Sequence, residues 1–364
     1  MEKQKIVLTR KIQVYVDCED KEKKDAYYKQ LYEWRVLAFQ AANLVFTHMY
    51  VQDRVRELFY FTDDVKVKLA DRTKHEDGIL NTSRTNTTYR LLSKRLLGKM
   101  PSDIFNALNS TLTRLYSKER SAYWRGERSL RNYKRNLPLP FPSNALKFEA
   151  DEKHKEFRFT LFKIPFKTYL GKDRTDKRAL LQRHMAGTIK LCISSLKIEK
   201  GKVYLLAVFE MERDEHELKD TVIAEASLSL EHPIVVNVGK THYRIGNKEE
   251  FLHRRLAIQA ARRRLQRGAT FNRPGKGRRR KLKSLEDWDA QERRYVDSRL
   301  HLYSRRLIDL CIKSQAGTLL LVNQLQKEAV AKEEEFLLRN WSYYGLKEKI
   351  AYKAQKAGIN VIVE

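Results

Sequence analysis

Cysteine is nearly absent from this chain. Its three residues, Cys18, Cys192 and Cys311, lie far apart, and none belongs to a Cys-x-x-Cys pair. That spacing excludes a disulfide framework and any recognisable zinc finger, and it fits a reducing, cytoplasmic setting. No apolar stretch approaches the length of a membrane span. The N-terminal Met-Glu-Lys-Gln-Lys leads straight into a strand pattern, with no secretory signal. Phosphate loops, dinucleotide glycine motifs, His-Glu-x-x-His and nucleophile elbows are all missing. The nine histidines are scattered, so no familiar enzyme chemistry announces itself.

Acidic residues are also in short supply: 46 Asp and Glu face 74 Lys and Arg, a net charge of +28. Such a surplus repels itself unless a polyanion neutralises it, and nucleic acid is the usual one. With 42% hydrophobic and 10% aromatic residues the 364-residue chain is globular, and it has room for two or three domains.

Residues Ile6 to Val16 alternate as a strand, and Asp20 is placed to cap a helix from Lys21 to Tyr50 in which Leu31, Trp34, Ala38, Ala41, Val45 and Met49 recur at helical spacing. A further helix begins near Asn86, and Ser102 is expected to cap a long one from Asp103 to Lys134. Leu137-Pro-Leu-Pro-Phe-Pro142 breaks the pattern. Strands then follow at Ala145–Ala150, Glu156–Phe162, Gly187–Leu196 and Lys202–Met211. The last region alternates strand and helix. A hairpin at 233–246 precedes a basic helix at 250–267, a loop from Gly268 to Arg279 and a helix at 284–315. A strand at 318–325, a helix around Trp341–Ala357 and a strand at Ile359–Val363 complete it.

The segment Pro233–Lys240 and the strand at Gly317–Leu325 carry amides near their strand tips, Asn237 and Asn323. Nucleases that use two metal ions place Asp and Glu at such tips, because hard Mg²⁺ needs anionic oxygen ligands. The cationic surplus gathers between Phe251 and Arg306, where 18 Lys and Arg meet five Asp and Glu. Arg254, Arg255, Arg262, Arg263, Arg264 and Arg267 lie on the predicted helix there. Arg278, Arg279, Arg280 and Lys281 follow in the glycine-containing loop. Guanidinium forks suit phosphate oxygens. In a second patch Arg125, Arg128, Arg131 and Lys134 recur every three residues, which predicts one helix face, with Tyr123, Trp124 and Tyr133 among them as base-stacking candidates. Asn86, Tyr89, Ser102 and Asn106 are candidate readers of base edges in a groove. Glu333-Glu334-Glu335 reads as a solvated helix start.

The order of segments from Ile234 to Glu364 resembles the RuvC-like nuclease domain of TnpB proteins and of the miniature type V-F CRISPR effectors. The matching elements begin with Val236-Asn237-Val238-Gly239 on the first strand and a basic bridge helix with its Arg/Lys loop at Leu252–Lys283. Arg299-Leu-His301, Ser304-Arg-Arg-Leu307 and Asn323-Gln324-Leu325 follow. Asn340-Trp-Ser-Tyr-Tyr344, Tyr352-Lys-Ala354 and Ala357-Gly-Ile359 complete the set. The resemblance implies an α+β multidomain fold. Residues 1–20 would add a strand to a wedge β-barrel at 137–220, a helical recognition bundle would occupy 21–136, and a truncated RuvC (RNase H-like) α/β domain would span 221–364.

In that family the first strand carries Asp and the second Glu, where this chain has Asn237 and Asn323. The family's zinc-binding segment and third catalytic Asp lie beyond the last strand, where this chain stops at Glu364. The resemblance therefore implies an RNA-guided DNA-binding protein without nuclease activity, with neither catalytic Mg²⁺ nor structural zinc. Its partners would be a guide RNA and a double-stranded DNA target, and, in transcription regulation, a sigma factor with RNA polymerase or a promoter to occlude. A homodimer on one guide and a prokaryotic, nucleoid-associated location fit the same resemblance. The alternatives are a nuclease using other carboxylates such as Glu364, and an RNA-binding transposition accessory protein.

Overall fold

The first helix, α1 (Lys21–Phe59), starts where its capping residue predicts. Asp20 Oδ1 accepts from the amides of Glu22 and Lys23 at 2.9 and 3.3 Å, satisfying two of the four donors that a helix start leaves open. The computed structural model describes residues 5–59, 84–151, 156–171, 176–213, 215–228, 232–271, 274–322 and 343–364. They divide into one unit of Val7–Met211 and another of Glu212–Glu364 with the first residues of the chain. Asn323, Glu333, Glu334, Glu335 and Trp341 lie outside the described residues.

In the Val7–Met211 unit α1 packs with α2 (Arg84–Leu96) and α3 (Ser102–Trp124). Trp34, Ala38, Ala41, Ala42, Val45, Phe46 and Met49 bury one stripe of α1. The bundle also has a polar centre. The fully buried Asp53 accepts from Tyr116 Oη at 2.9 Å and Arg120 Nε at 2.8 Å, and it pairs with Arg84 as well. Two features differ from expectation. Ser102 is the first residue of α3 and makes no capping bond; Pro101 precedes it. The helix stops at Trp124 rather than Lys134, because Gly126 takes a left-handed φ of 72°. Glu127 N then donates to Ala122 O at 3.0 Å and Gly126 N to Tyr123 O at 3.4 Å, the paired bonds of a Schellman stop.

The sheet of this unit contains β1 (Lys5–Val16), β2 (Leu139–Phe141), β3 (Glu149–Ala150), β4 (Phe157–Leu161) and β5 (Ile164–Tyr169). After α4 (Lys177–Met185) it adds β6 (Lys190–Leu191), β7 (Ser194–Glu199) and β8 (Lys202–Glu212). Its order is β2-β7-β8-β1-β5-β4-β3, with β6 also on β8. The N-terminal strand thus sits mid-sheet, joined to strands that follow the helices. The expected barrel is not closed: the terminal strands β2 and β3 pair only with β7 and β4 and not with each other.

The second unit has five strands in the order β11-β10-β9-β12-β13. These are β9 (Lys219–Ser227), β10 (Ile234–Val238), β11 (Thr241–Ile245), β12 (Ala316–Leu321) and β13 (Asn360–Val363). β9 is central, antiparallel to β10 and parallel to β12, and β12 is parallel to β13. Alternate residues Ala224, Ala226, Ile234, Val236, Leu319 and Leu321 face inward. They share a core with Phe251 of α5 (Lys248–Thr270), with Tyr303 and Leu307 of α6 (Lys276–Lys313), and with Leu346, Ile350 and Ala354 of α7 (Tyr343–Ala357). Gly246, at φ 81°, lets β11 turn into α5; a Cβ there would lie 2.8 Å from Pro233 and Tyr303. Among the described residues no helix is long and apolar enough to cross a membrane.

Asp53 holds two guanidinium groups in the bundle, so Asp53→Asn should lower the unfolding free energy by about 2–4 kcal/mol. Urea unfolding followed by far-UV circular dichroism measures this, and a change within error would mean that solvent already satisfies Arg84 and Arg120.

Candidate nucleic-acid interface

The sheet of the second unit has an exposed face opposite its core. His242 on β11, Asn237 on β10 and Glu225 on β9 form one cross-strand row on it. His242 Nδ1 lies in hydrogen-bond contact with Asn237 Oδ1. The row continues through Leu320 of β12 to Ile362 of β13. This register revises the reading of the two amides. β9 lies between β10 and β12, which are therefore about 9–10 Å apart. Asn237 and the end of β12 do not sit on neighbouring strands, and the strand between them presents a carboxylate, Glu225. The strand at 219–227 gives little sequence signal, because it opens on three polar residues and its buried positions, Ala224 and Ala226, are small.

One carboxylate, one amide and one imidazole form a donor set poor in the anionic oxygen that Mg²⁺ requires. Among the described residues no three His, Cys, Asp or Glu side chains gather into a metal cluster. Glu364 follows the edge strand β13, and its amide donates to Leu321 O. Two strands separate it from β9's partner β10, so it does not complete the row. Among the described residues, Glu225 is the one carboxylate on this row.

The basic region is a helical hairpin. α5 runs on to Thr270 and α6 begins at Lys276, so the residues expected in a loop at 276–279 form a first helical turn. Within α5 the arginines divide by face. Arg255 is buried, donating to Glu292 Oε1 at 2.9 Å, where Gln259 also donates at 2.9 Å. Burial raises the Glu292 pKa, but the bonds from Gln259 and Arg255 and the nearby Arg262 charge outweigh it and hold the carboxyl below its ordinary value. Arg262 bridges to Asp289 at 2.7 Å. Arg255, expected among the phosphate contacts, is therefore a structural pin between α5 and α6. Arg254 lies exposed with its guanidinium 5.4 Å from the Tyr295 ring centroid. Arg263, Arg264, Arg267, Arg279 and Arg280 are exposed, and none bridges to a carboxylate among the described residues. Arg278 and Lys281 belong to α6, but their side chains lie outside the described residues.

In the first unit Arg125, Arg128, Arg131 and Lys134 all follow the end of α3, so they do not share a helix face. Arg125 bridges to Glu127 at 3.1 Å and Arg128 to Glu119 at 2.8 Å. Arg131 Nε donates to Glu119 at 2.7 Å. The Arg131 hydrogen bond is the main reason that Glu119 is held at about 2, and burial followed by Glu119 pushes Tyr123 up to about 12. Lys134 is exposed. Tyr123 and Tyr133 pack edge-on to Phe46 and are part of the bundle, not a stacking platform. Trp124 carries the Arg54 guanidinium 4.2 Å above its ring. Asn86, Tyr89, Ser102 and Asn106 all reach solvent on α2 and α3, whereas Asn109 is buried and donates to Thr85 O at 3.0 Å.

The motif residues of α6 and α7 meet in a helix contact. Lys353 Nζ donates to the buried Ser304 Oγ at 2.8 Å and to the His301 carbonyl, while Lys349 bridges to Asp297 at 2.6 Å. Burial, with Arg305 and Lys349 nearby, lowers the Lys353 ammonium to about 8.

No protein-family profile matches the chain. It is 23% identical over 321 residues to the CRISPR-associated endodeoxyribonuclease Cas12f1 of Sulfoacidibacillus thermotolerans, covering 83% of this chain and 74% of that protein. Against the Cas12f1 of Syntrophomonas palmitatica it is 38% identical over 90 residues, 25% of this chain and 18% of that protein. A Cas12f1 chain solved in a complex with sgRNA and target DNA superposes with a TM-score of 0.67 at 14% identity, covering 99% of this chain and 89% of that one. The chain is homologous to Cas12f1, the type V-F CRISPR effector, and shares its fold.

The Lys353 side chain should titrate near 8 in a lysine-resolved NMR experiment, with the signal lost in Lys353→Met; a midpoint above 10 would mean that it is solvated. An unfolded lysine titrates at about 10.4. Between these values the folded form holds fewer protons than the unfolded one, so this residue adds stability as pH rises from 8 and adds no further pH dependence below it.

Proposed function

We propose that this chain is an RNA-guided DNA-binding protein that does not cut its target and acts in transcription regulation. The observation that carries the reading is the α5–α6 hairpin. From Arg262 to Lys283 it has 11 Lys and Arg and no Asp or Glu, and its described arginines beyond Arg262 point to solvent. Phosphate neutralisation by such side chains supplies affinity without sequence preference. Base pairing to a guide RNA would supply the sequence, and Asn86, Tyr89, Ser102 and Asn106 are the candidates for reading a short flanking motif. The relatives named above are Cas12f1 proteins, one of them solved with sgRNA and target DNA. Regulation would follow from occupancy that blocks a promoter, or from recruitment of RNA polymerase through a sigma factor.

The mixed donor row around Glu225 supports binding without hydrolysis. It also favours a second reading, because Glu225 is a carboxylate on the central strand. In that reading the protein nicks DNA with a metal held at Glu225 and by groups outside the described residues.

Purified from its host, the protein should carry a discrete small RNA and bind guide-matched duplex without cutting it in Mg²⁺. Metal-dependent cleavage that Glu225→Gln abolishes, and Asn237→Ala leaves intact, would establish the second reading instead. Converting Arg263, Arg264 and Arg267 together to Gln should reduce the slope of log affinity against log salt by about 2 to 3. An unchanged slope in a filter-binding titration would remove this face from the interface.

A further inference from the structure

The turn of the basic hairpin carries an aromatic side chain with no visible structural use. Phe271, immediately after α5, is 89% exposed; the next most exposed of the large hydrophobic residues described is Leu97 at 69%. Its ring has no aromatic partner among the described residues. A single exposed apolar residue is ordinary on a protein surface. Position and surroundings distinguish this one. Phe271 sits at the point where α5 gives way to the turn before α6, so its ring projects from the tip of a two-helix arm. Arg267 lies one helical turn before it, and Lys276, Arg279 and Arg280 are exposed on the first turn of α6.

We propose that Phe271 stacks on an unpaired nucleobase of the bound polynucleotide while the flanking cations hold the adjoining phosphates. A base offers a flat aromatic face with an anionic phosphate a few ångströms away, and this tip presents the complementary pair of features. An apolar pocket on a protein partner fits less well, since seating Phe271 there would bring the exposed arginines with it and desolvate them unless acids faced each one. The inference rests on the nucleic-acid reading of the hairpin proposed above.

The test uses the full chain and a short fluorescent single-stranded RNA, with a blunt DNA duplex of equal length as control. Phe271→Ala should weaken RNA binding by about five- to a hundredfold, the range of one lost stacking contact. Phe271→Tyr and Phe271→Trp should restore it, and Phe271→Leu should not. The salt slope should match the wild type, because no charge is removed, and the melting temperature should not move, because the ring is not packed. Duplex affinity should change less than twofold. Unchanged RNA affinity in Phe271→Ala, full rescue by Leu, or an equal loss on duplex would overturn the proposal. So would Phe271-dependent binding to anionic phosphatidylglycerol vesicles with RNA affinity intact, since that would assign the tip to a membrane surface. The Arg263, Arg264 and Arg267 triple variant separates the two levels. If it weakens RNA binding while Phe271→Ala does not, the stacking contact fails and the hairpin reading stands; if neither variant has an effect, the hairpin reading fails as well.

Discussion

Scarcity of acid governs how this chain folds around its charge. The chain has 28 more cations than anions, and three of its most buried described carboxylates each serve several donors. Asp53 takes Arg84, Arg120 and Tyr116. Glu119 takes Arg128, Arg131 and Tyr123. Glu292 takes Arg255 and Gln259, with Arg262 close by. A carboxylate with several charge-assisted bonds is a rigid junction, since loss of any one donor leaves the others in place. The shortage of acid is most concentrated in the acid-free stretch from Arg262 to Lys283.

The same physics separates the arginines that hold the fold from those that face outward. Composition counts every arginine on α5 alike, but helical geometry does not. Phe251, Arg255, Ile258 and Arg262 follow spacings of four, three and four, which is one stripe on a helix. That stripe turns to α6, so Arg255 and Arg262 are used in its ion pairs, and Arg263, Arg264 and Arg267 fall outside it. The pattern was present in the sequence, since two hydrophobic residues mark the inward face. Counting charge alone hides it.

What the sequence discloses about the fold follows a similar rule. The helix opened by Asp20 and the β10–β11 hairpin are legible because local signals, a cap and an alternation, determine them. The central strand β9 is harder to read, because its inward positions are Ala224 and Ala226, whose small side chains give little apolar alternation. Strand β5 is concealed by its turn: Phe162 and Lys163 both adopt left-handed φ values, 55° and 63°, without the glycine that usually marks such a hairpin. The Phe162 ring packs edge-on against Trp34 and Phe141, so tertiary contacts hold a conformation that its own preferences oppose. Gly126, which ends α3 ten residues early, is visible in the sequence but acquires meaning only with its Schellman bonds. Sheet order is a long-range property and has no local signal at all, so Asn237 can be placed at a strand end from sequence but not beside Glu225.

That pairing changes what the amide at position 237 means. Side chains alternate along a strand, so β9 and β10 send Ala224, Ala226 and Val236 into the core and Glu225 and Asn237 to the other face. The hydrophobic core shared with α5, α6 and α7 includes the first set and neither Glu225 nor Asn237. An exchange of carboxylate for amide in the second set alters the charge of the exposed row without removing a single core contact. It likewise leaves α5 and α6, and hence the cationic hairpin, supported as before. The fold therefore places no mechanical link between the chemistry of the row and the grip of the hairpin: either can change while the other persists, and for that reason the presence of one is not evidence for the other.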